Sequence, residues 1–237
     1  MGRRIISGLS PTSPKRRRLR GASQGSAGDE AAKTGSRGLD VYHQNGTVDW
    51  PAIAASGWSF AIAKATEGET FVDDQFSGNW PAMKEAGLIR GAYHFFRPST
   101  DPGRQAEHYL ERVGALEVDD LPPIVDVEVT DGRPANEILD SLRLWIDRIG
   151  AASARRPIIY TYPFFWGNQL GNSPRFSEYA LWIADYSARR QPRIPGGWRA
   201  WSIWQYSASG RTNGLEPPVD LNRSNGPITT VIEESRT

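Results

Sequence analysis

The chain has 237 residues, with 38% hydrophobic and 11% aromatic content, a formal net charge of +1 and no cysteine. Such a composition suits a globular protein with one large core or two small ones. The lack of cysteine excludes disulfide staples, thiolate catalysis and cysteine-held zinc.

The charge is uneven. Residues 1–37 carry nine Lys/Arg against Asp29 and Glu30, a balance of +7 set against −6 for the rest. This stretch is rich in Gly, Ser, Ala and Arg and has no sustained apolar period, so it reads as a disordered basic tail. Its run KRRRLR (15–20) has the form of a nuclear-import or nucleic-acid patch, but a solvated tail drawn to an anionic polymer or surface is the better reading. No nucleic-acid partner is expected. Only Ile5, Ile6 and Leu9 follow Arg3 and Arg4, too little for the apolar stretch of a conventional export signal. No apolar run is long enough to span a membrane.

From residue 38 the pattern alternates. Strands are expected at 38–43, 58–66, 88–96, 121–129 and 156–163, and helices at 49–56, 73–86, 101–113 and 134–152. The last helix is the clearest, with Ile138, Leu142, Trp145, Ile146 and Ile149 at helical spacing and Pro134 suited to a first turn. This alternation points to parallel βαβ units. After Pro163 the rhythm changes: strands are expected at 180–187, 201–207 and 219–222, separated by segments rich in Pro, Gly and Arg. Eight strands with four or five helices predict an α/β fold, a closed barrel whose last third has lost its helices. A doubly wound open sheet is the alternative. No glycine-rich phosphate loop follows the first strand, so a nucleotide cofactor has no support.

Chemistry gathers at the carboxyl ends of these strands, where α/β barrels place their sites. The segment LPPIVDVEVT (121–130) sets Asp126 and Glu128 inside an apolar run. Alternation puts Ile124, Asp126 and Glu128 on one face, with the two acidic Cα atoms roughly 6.6 Å apart. Buried acids are costly unless paired, hydrogen-bonded or used, and carboxyls at this spacing can act on one glycosidic bond. The alternative is a strand end where the two acids cap loops or pair with arginines. Asp40, Tyr42, His43, Lys64, Tyr93, His94, Tyr160, Tyr162, Trp182, Asp185, Tyr186, Gln205, Asp220 and Asn222 fall at the other strand ends. Acids among aromatic rings make a sugar-binding composition, although many of the nine tryptophans must serve packing.

The segments GLDVYHQNGTVDW, AIAKATEGETFVDDQF, AGLIRGAYHFF, PPIVDVEV, LWIADY, WSIWQYS and VDLN, in order across residues 38 to about 224, resemble the glycoside hydrolase family 25 lysozymes, the Chalaropsis-type N-acetylmuramidases. The resemblance implies a TIM-like flattened (β/α)5(β)3 barrel over residues 38–237. It also implies hydrolysis of the β-1,4 bond between N-acetylmuramic acid and N-acetylglucosamine in peptidoglycan, without cofactor or metal. On that correspondence Glu128 is the general acid. Asp126 stays ionised and orients the substrate's 2-acetamido group as the internal nucleophile, giving retention. Asp40 and Asp220 contact sugar or hold the acid pair, and Tyr93, Tyr162, Asp185 and Gln205 line the cleft. The protein is expected to be a monomer acting on the wall outside the cytoplasm, by an export route the sequence does not reveal, with its tail on anionic wall polymers. Two other readings stay open: a catalytically silent wall-glycan-binding module, and a metal-dependent deacetylase using His43 and His94. The second is weakened by the lack of an H-x-x-x-H or H-x-x-x-x-H pair.

Overall fold

In the computed structural model, which describes residues 35–187 and 190–236, all eight expected strands form. They are β1 (Arg37–Val41), β2 (Phe60–Glu67), β4 (Ile89–Phe95), β5 (Ile124–Asp126), β6 (Ile158–Thr161), β7 (Ala180–Ala184), β8 (Ile203–Thr212) and β9 (Leu215–Ser224). A short extra strand, β3 (Phe71–Val72), pairs antiparallel with the end of β2. The expected basic tail lies, up to residue 34, outside the described residues. Ser36 already belongs to the fold: Ser224 N–H donates to its carbonyl at 2.9 Å.

The neighbour order β1-β9-β8-β7-β6-β5-β4-β2 closes on itself through a parallel β1–β2 pairing. Closure eliminates the open doubly wound sheet. Seven barrel strands run parallel, while β9 is antiparallel to both β8 and β1. The last strand returns through a hairpin rather than a crossover, so its first half, not its end, reaches the mouth. Register then sets Asp220 directly opposite Asp40.

Alternation sorts the side chains into two cores. Phe60, Ile62, Tyr93, Ile124, Ile158, Tyr160, Trp182 and Ile203 fill the lumen, whereas Leu39, Val41, Ala61, Ala63, Val125, Val127, Ile159, Leu181 and Ile183 face the outer layer. Gly38 permits this filling, because a Cβ there would sit 2.3 Å from the Phe60 ring. The helices α1 (Trp50–Ala55), α2 (Phe76–Glu85), α3 (Pro102–Val113) and α4 (Ala135–Ser153) lie close to the expected spans. Asp49 and Asp101 cap α1 and α3 by accepting from Ala52 N and Arg104 N. Helix α4 buries Ile138, Leu139, Leu142, Trp145, Ile146 and Ile149, each of which contributes about 1.5–3 kcal/mol of apolar burial.

Two features depart from the expected pattern. After β6 there is only a π-helical turn (Phe165–Gln169), and the fifth α-helix, α5 (Ile228–Glu234), follows the last strand instead. Its Ile228, Val231 and Ile232 join the lumen core. Strand β5 is three residues long, not nine. Pro122 and Pro123 have no N–H to offer a ladder, and the chain leaves the sheet after Val127 N–H donates to Tyr160 O at 3.0 Å.

Candidate active site

Barrel closure brings the carboxyl ends of the parallel strands around a cavity of about 620 Å³. Asp40, Lys64, Tyr93, Asp126, Glu128, Tyr160, Trp182, Gln205 and Asp220 line it, each carried there by its own strand or the loop just beyond. The hairpin between β8 and β9 adds a wall of Glu216, Pro217 and Pro218. Its turn is fixed below, where Asp49 N–H donates to Gly214 O at 2.8 Å. Gly214 has φ of 88°, and a Cβ there would lie 2.5 Å from Asp49 O, so glycine is required.

Four acids share this cavity. Asp40 is 7% exposed and accepts at Oδ1 from Gln205 Nε2 (2.8 Å) and Asn222 Nδ2 (2.6 Å). Both amides are themselves positioned. Gln205 Oε1 accepts from Tyr160 OH (3.0 Å) and Tyr186 OH (2.6 Å), and Asn222 Oδ1 accepts from Trp182 Nε1 (2.8 Å). Burial, then the facing charge of Asp220, pushes the Asp40 carboxyl up to about 8 against the opposing pull of the two amides. Burial alone lifts Asp220 to about 6.

Asp126 is 6% exposed, and its Oδ1 is buried without a hydrogen-bond partner among the described residues. Burial and the neighbouring Glu128 raise its carboxyl well above the usual range. Glu128, in the loop after β5, is raised by burial and by Asp220, with Lys64 opposing. Both carboxyls of the pair are thus raised in the folded protein. The shorter strand leaves Asp126 deeper than Glu128, so desolvation acts more strongly on the aspartate. The two carboxyls interact and titrate as a pair. Tyr93 and Tyr160 are buried beside them, and burial followed by the Asp126 charge raises both phenols.

Of the expected cleft residues, Asp40, Asp126, Glu128, Asp220, Tyr93 and Gln205 come together here. Tyr162 lines an adjoining cavity of about 440 Å³, which Glu128, Tyr160 and Tyr186 connect to the first. Asp185 borders that second cavity but shares the strand parity of Leu181 and Ile183, away from the lumen. Its Oδ1 accepts from Ser187 Oγ (2.8 Å) and its Oδ2 from Arg193 Nε (3.0 Å) and Arg193 N (3.1 Å). Burial acts to raise this carboxyl, but the bonds from Arg193 and Ser187 outweigh it and hold the group at about 2. Both oxygens are committed to Ser187 and Arg193.

Lys64 falls among the expected strand-end residues, but the resemblance assigns it no role. Its signal was a lone cation sharing the parity of Ile62 in a buried strand. It lies 2.6 Å from Glu67 Oε2 and 4.8 Å from the Phe95 ring centroid. The tryptophan count was less informative: of nine, only Trp182 lines the acid cavity, and most of the others pack in the outer core. The histidines are engaged elsewhere. His94 meets Thr66 Oγ1 (2.8 Å) and Gln105 Oε1 (3.0 Å), and His43 Nδ1 meets Asp73 (3.0 Å). With both ring nitrogens bonded, His94 has none free for a metal, which removes the basis of the deacetylase reading.

A barrel mouth holding four carboxylates among tyrosines, with one acid deep and one on a loop beside it, is the arrangement that glycosidases use. The family model for glycosyl hydrolases family 25 matches residues 39–215. The chain is 35% identical over 206 residues to Lysozyme M1 of Streptomyces globisporus, covering 83% of this chain and 70% of that protein. It is 32% identical over 201 residues to the N,O-diacetylmuramidase of Chalaropsis sp, covering 78% and 95% respectively. The fold matches that of the bacterial lysozyme from Streptomyces coelicolor with a TM-score of 0.80 at 31% identity, over 86% of this chain and 98% of that one. The chain belongs to glycosyl hydrolases family 25.

Proposed function

We propose that this protein is a lysozyme that hydrolyses the bond between N-acetylmuramic acid and N-acetylglucosamine in peptidoglycan, with Glu128 as general acid and Asp126 as the group that orients the substrate. The observation that carries the assignment is the buried, unpartnered Oδ1 of Asp126 beside Glu128. An acceptor in that position is costly until something donates to it. The N–H of a 2-acetamido group on the sugar is a donor of the right kind. Donation stabilises the ionised form of Asp126, so the proton shared by the pair falls to Glu128 as substrate binds. Glu128 then protonates the departing glycosidic oxygen. The acetamido oxygen, turned toward the anomeric carbon by its N–H contact, attacks from within the substrate and leads to retention.

The other acids have supporting parts. Asp40, held by Gln205 and Asn222, and Asp220 opposite it form a second pair against which the sugar hydroxyls bond. Tyr93 and Tyr162 offer ring faces along the two cavities. Asp185 holds the rim loop through Arg193 instead of touching sugar.

Action on the wall places the protein outside the cytoplasm or in the periplasm, and no helix among the described residues is long and apolar enough to cross a membrane. We read the basic tail as an electrostatic tether to anionic wall polymers. Its deletion would weaken wall binding most at low salt, and equal binding at all ionic strengths would dismiss the idea.

Digestion of purified peptidoglycan, followed by borohydride reduction and mass spectrometry, tests the function. Reduced muramic acid ends are expected. Reduced glucosamine ends would reverse the bond assignment, and an absence of products would favour a binding module.

A further inference from the structure

Glu128 owes its place to the loop that carries it, and that loop is fixed at two points on either side. On the strand side, Thr161 Oγ1 donates to Val127 O at 2.8 Å. On the far side, Asp131 Oδ2 accepts from Ser99 Oγ at 3.1 Å, and Asp131 Oδ1 pairs with Arg97 Nη2 at 2.8 Å. Asp131 has φ of 48°, left-handed backbone that is uncommon for a non-glycine residue, though more accessible to Asp than to most. The second anchor therefore works against only a weak local preference.

Arg97 reaches in the other direction as well. Its Nη1 lies 3.3 Å from Glu67 Oε1, and Glu67 Oε2 holds Lys64 Nζ at 2.6 Å. Four charges of alternating sign, Lys64, Glu67, Arg97 and Asp131, thus join the ends of β2 and β4 to the loop after β5. The two outer members are the most buried, with 9% of the Lys64 side chain and 10% of the Asp131 side chain exposed. Isolated surface pairs contribute only about 0–1 kcal/mol. This chain is different in kind, because it links three separate segments and ends at the cation and the loop that flank the acids.

We propose that Arg97 is a positioning residue for the reaction: by bridging Glu67 and Asp131 it fixes Lys64 and the Glu128 loop in their working places. The proposal rests on the reading of Glu128 as the acid. Lys64 faces Glu67, Asp126, Glu128, Asp40 and Asp220, with neutral His94 buried nearby, and Glu128 faces Lys64, Asp126 and Asp220. A displacement of about 1 Å in such an arrangement costs on the order of 100-fold in rate.

The test compares Arg97→Met, Asp131→Asn and the double variant with wild type on solubilised peptidoglycan. Each single variant should lose about 10- to 100-fold in kcat, with KM changed by less than about twofold. The double variant should be no slower than the worse single, because one link is lost either way. Arg97→Lys, which keeps the charge but cannot bridge both acids, should recover part of the loss. The two single substitutions change charge in opposite senses. A purely electrostatic influence would move the alkaline limb of the pH profile up for Arg97→Met and down for Asp131→Asn, with no common fall in kcat. That pattern, losses that multiply in the double variant, or kcat within about twofold of wild type would each overturn the proposal. If Arg97→Met does not fold, Asp131→Asn and Arg97→Lys carry the same comparison. A wild type that releases no muramic acid ends would instead overturn the underlying assignment of the site.

Discussion

The two ends of the barrel treat buried carboxylates in opposite ways. At the floor, Asp120 is 2% exposed and fully answered: Arg90 Nε donates to it at 2.7 Å and Arg90 Nη2 at 3.2 Å. Arg90 also donates to Trp80 O, stacks on the Trp80 ring at 3.9 Å and reaches Glu117 at 3.1 Å. At the mouth, Asp40, Asp126, Glu128 and Asp220 crowd one cavity, and the nearest cation, Lys64, is already held by Glu67. Folding gains nothing from gathering like charges in a low-dielectric pocket. On the proposed function, the difference separates an acid that holds the structure from acids kept ready for a substrate.

Substitutions at the two ends should therefore fail in different ways. The largest effect is expected at the floor. Asp120→Asn leaves Arg90 buried with only Glu117 to face it, and denaturant unfolding should show a loss of about 3 kcal/mol while folded protein keeps its turnover. At the mouth, Asp126→Asn should reverse this pattern. Turnover should fall by about 100- to 1,000-fold as the proposed acetamido contact is lost, while the midpoint of unfolding at neutral pH should hold or rise because the repulsion within the acid pair is removed.

A smaller, pH-dependent effect belongs to Asp40. Its folded value of about 8 lies above the ordinary aspartate value, so the folded state binds the extra proton. Stability is full at low pH and declines as pH rises from about 4 through 8. Asp40→Asn should remove that decline, with a clear gain in stability at pH 8 and little at pH 4. A constant difference at both pH values would show that Asp40 is not held protonated by its surroundings.

Much of this contrast was readable from residue order. Alternation alone placed Asp126 with Ile124, and the spacing of Ile138, Leu142, Trp145, Ile146 and Ile149 located the longest helix. Three features were hidden for physical reasons. Strand direction leaves no trace in alternation, so the inversion of β9 rested on the short Asn213–Gly214 turn, a hairpin signal. The extent of β5 depended on Pro122 and Pro123, which stop a ladder without interrupting an apolar run. The bonding of Asp185 turned on Arg193, eight residues further along the chain, and on a strand parity that points it outward. Lys64 was visible but uninterpretable until closure set it beside the acids.

The most direct test of the central claim is turnover by Glu128→Gln, measured beside its binding to insoluble peptidoglycan. The substitution removes the transferable proton and little else. The account predicts a fall in release of reducing ends of about 100- to 10,000-fold with wall binding retained. Turnover within about tenfold of wild type would contradict it, because the proton would then have to come from a group other than Glu128.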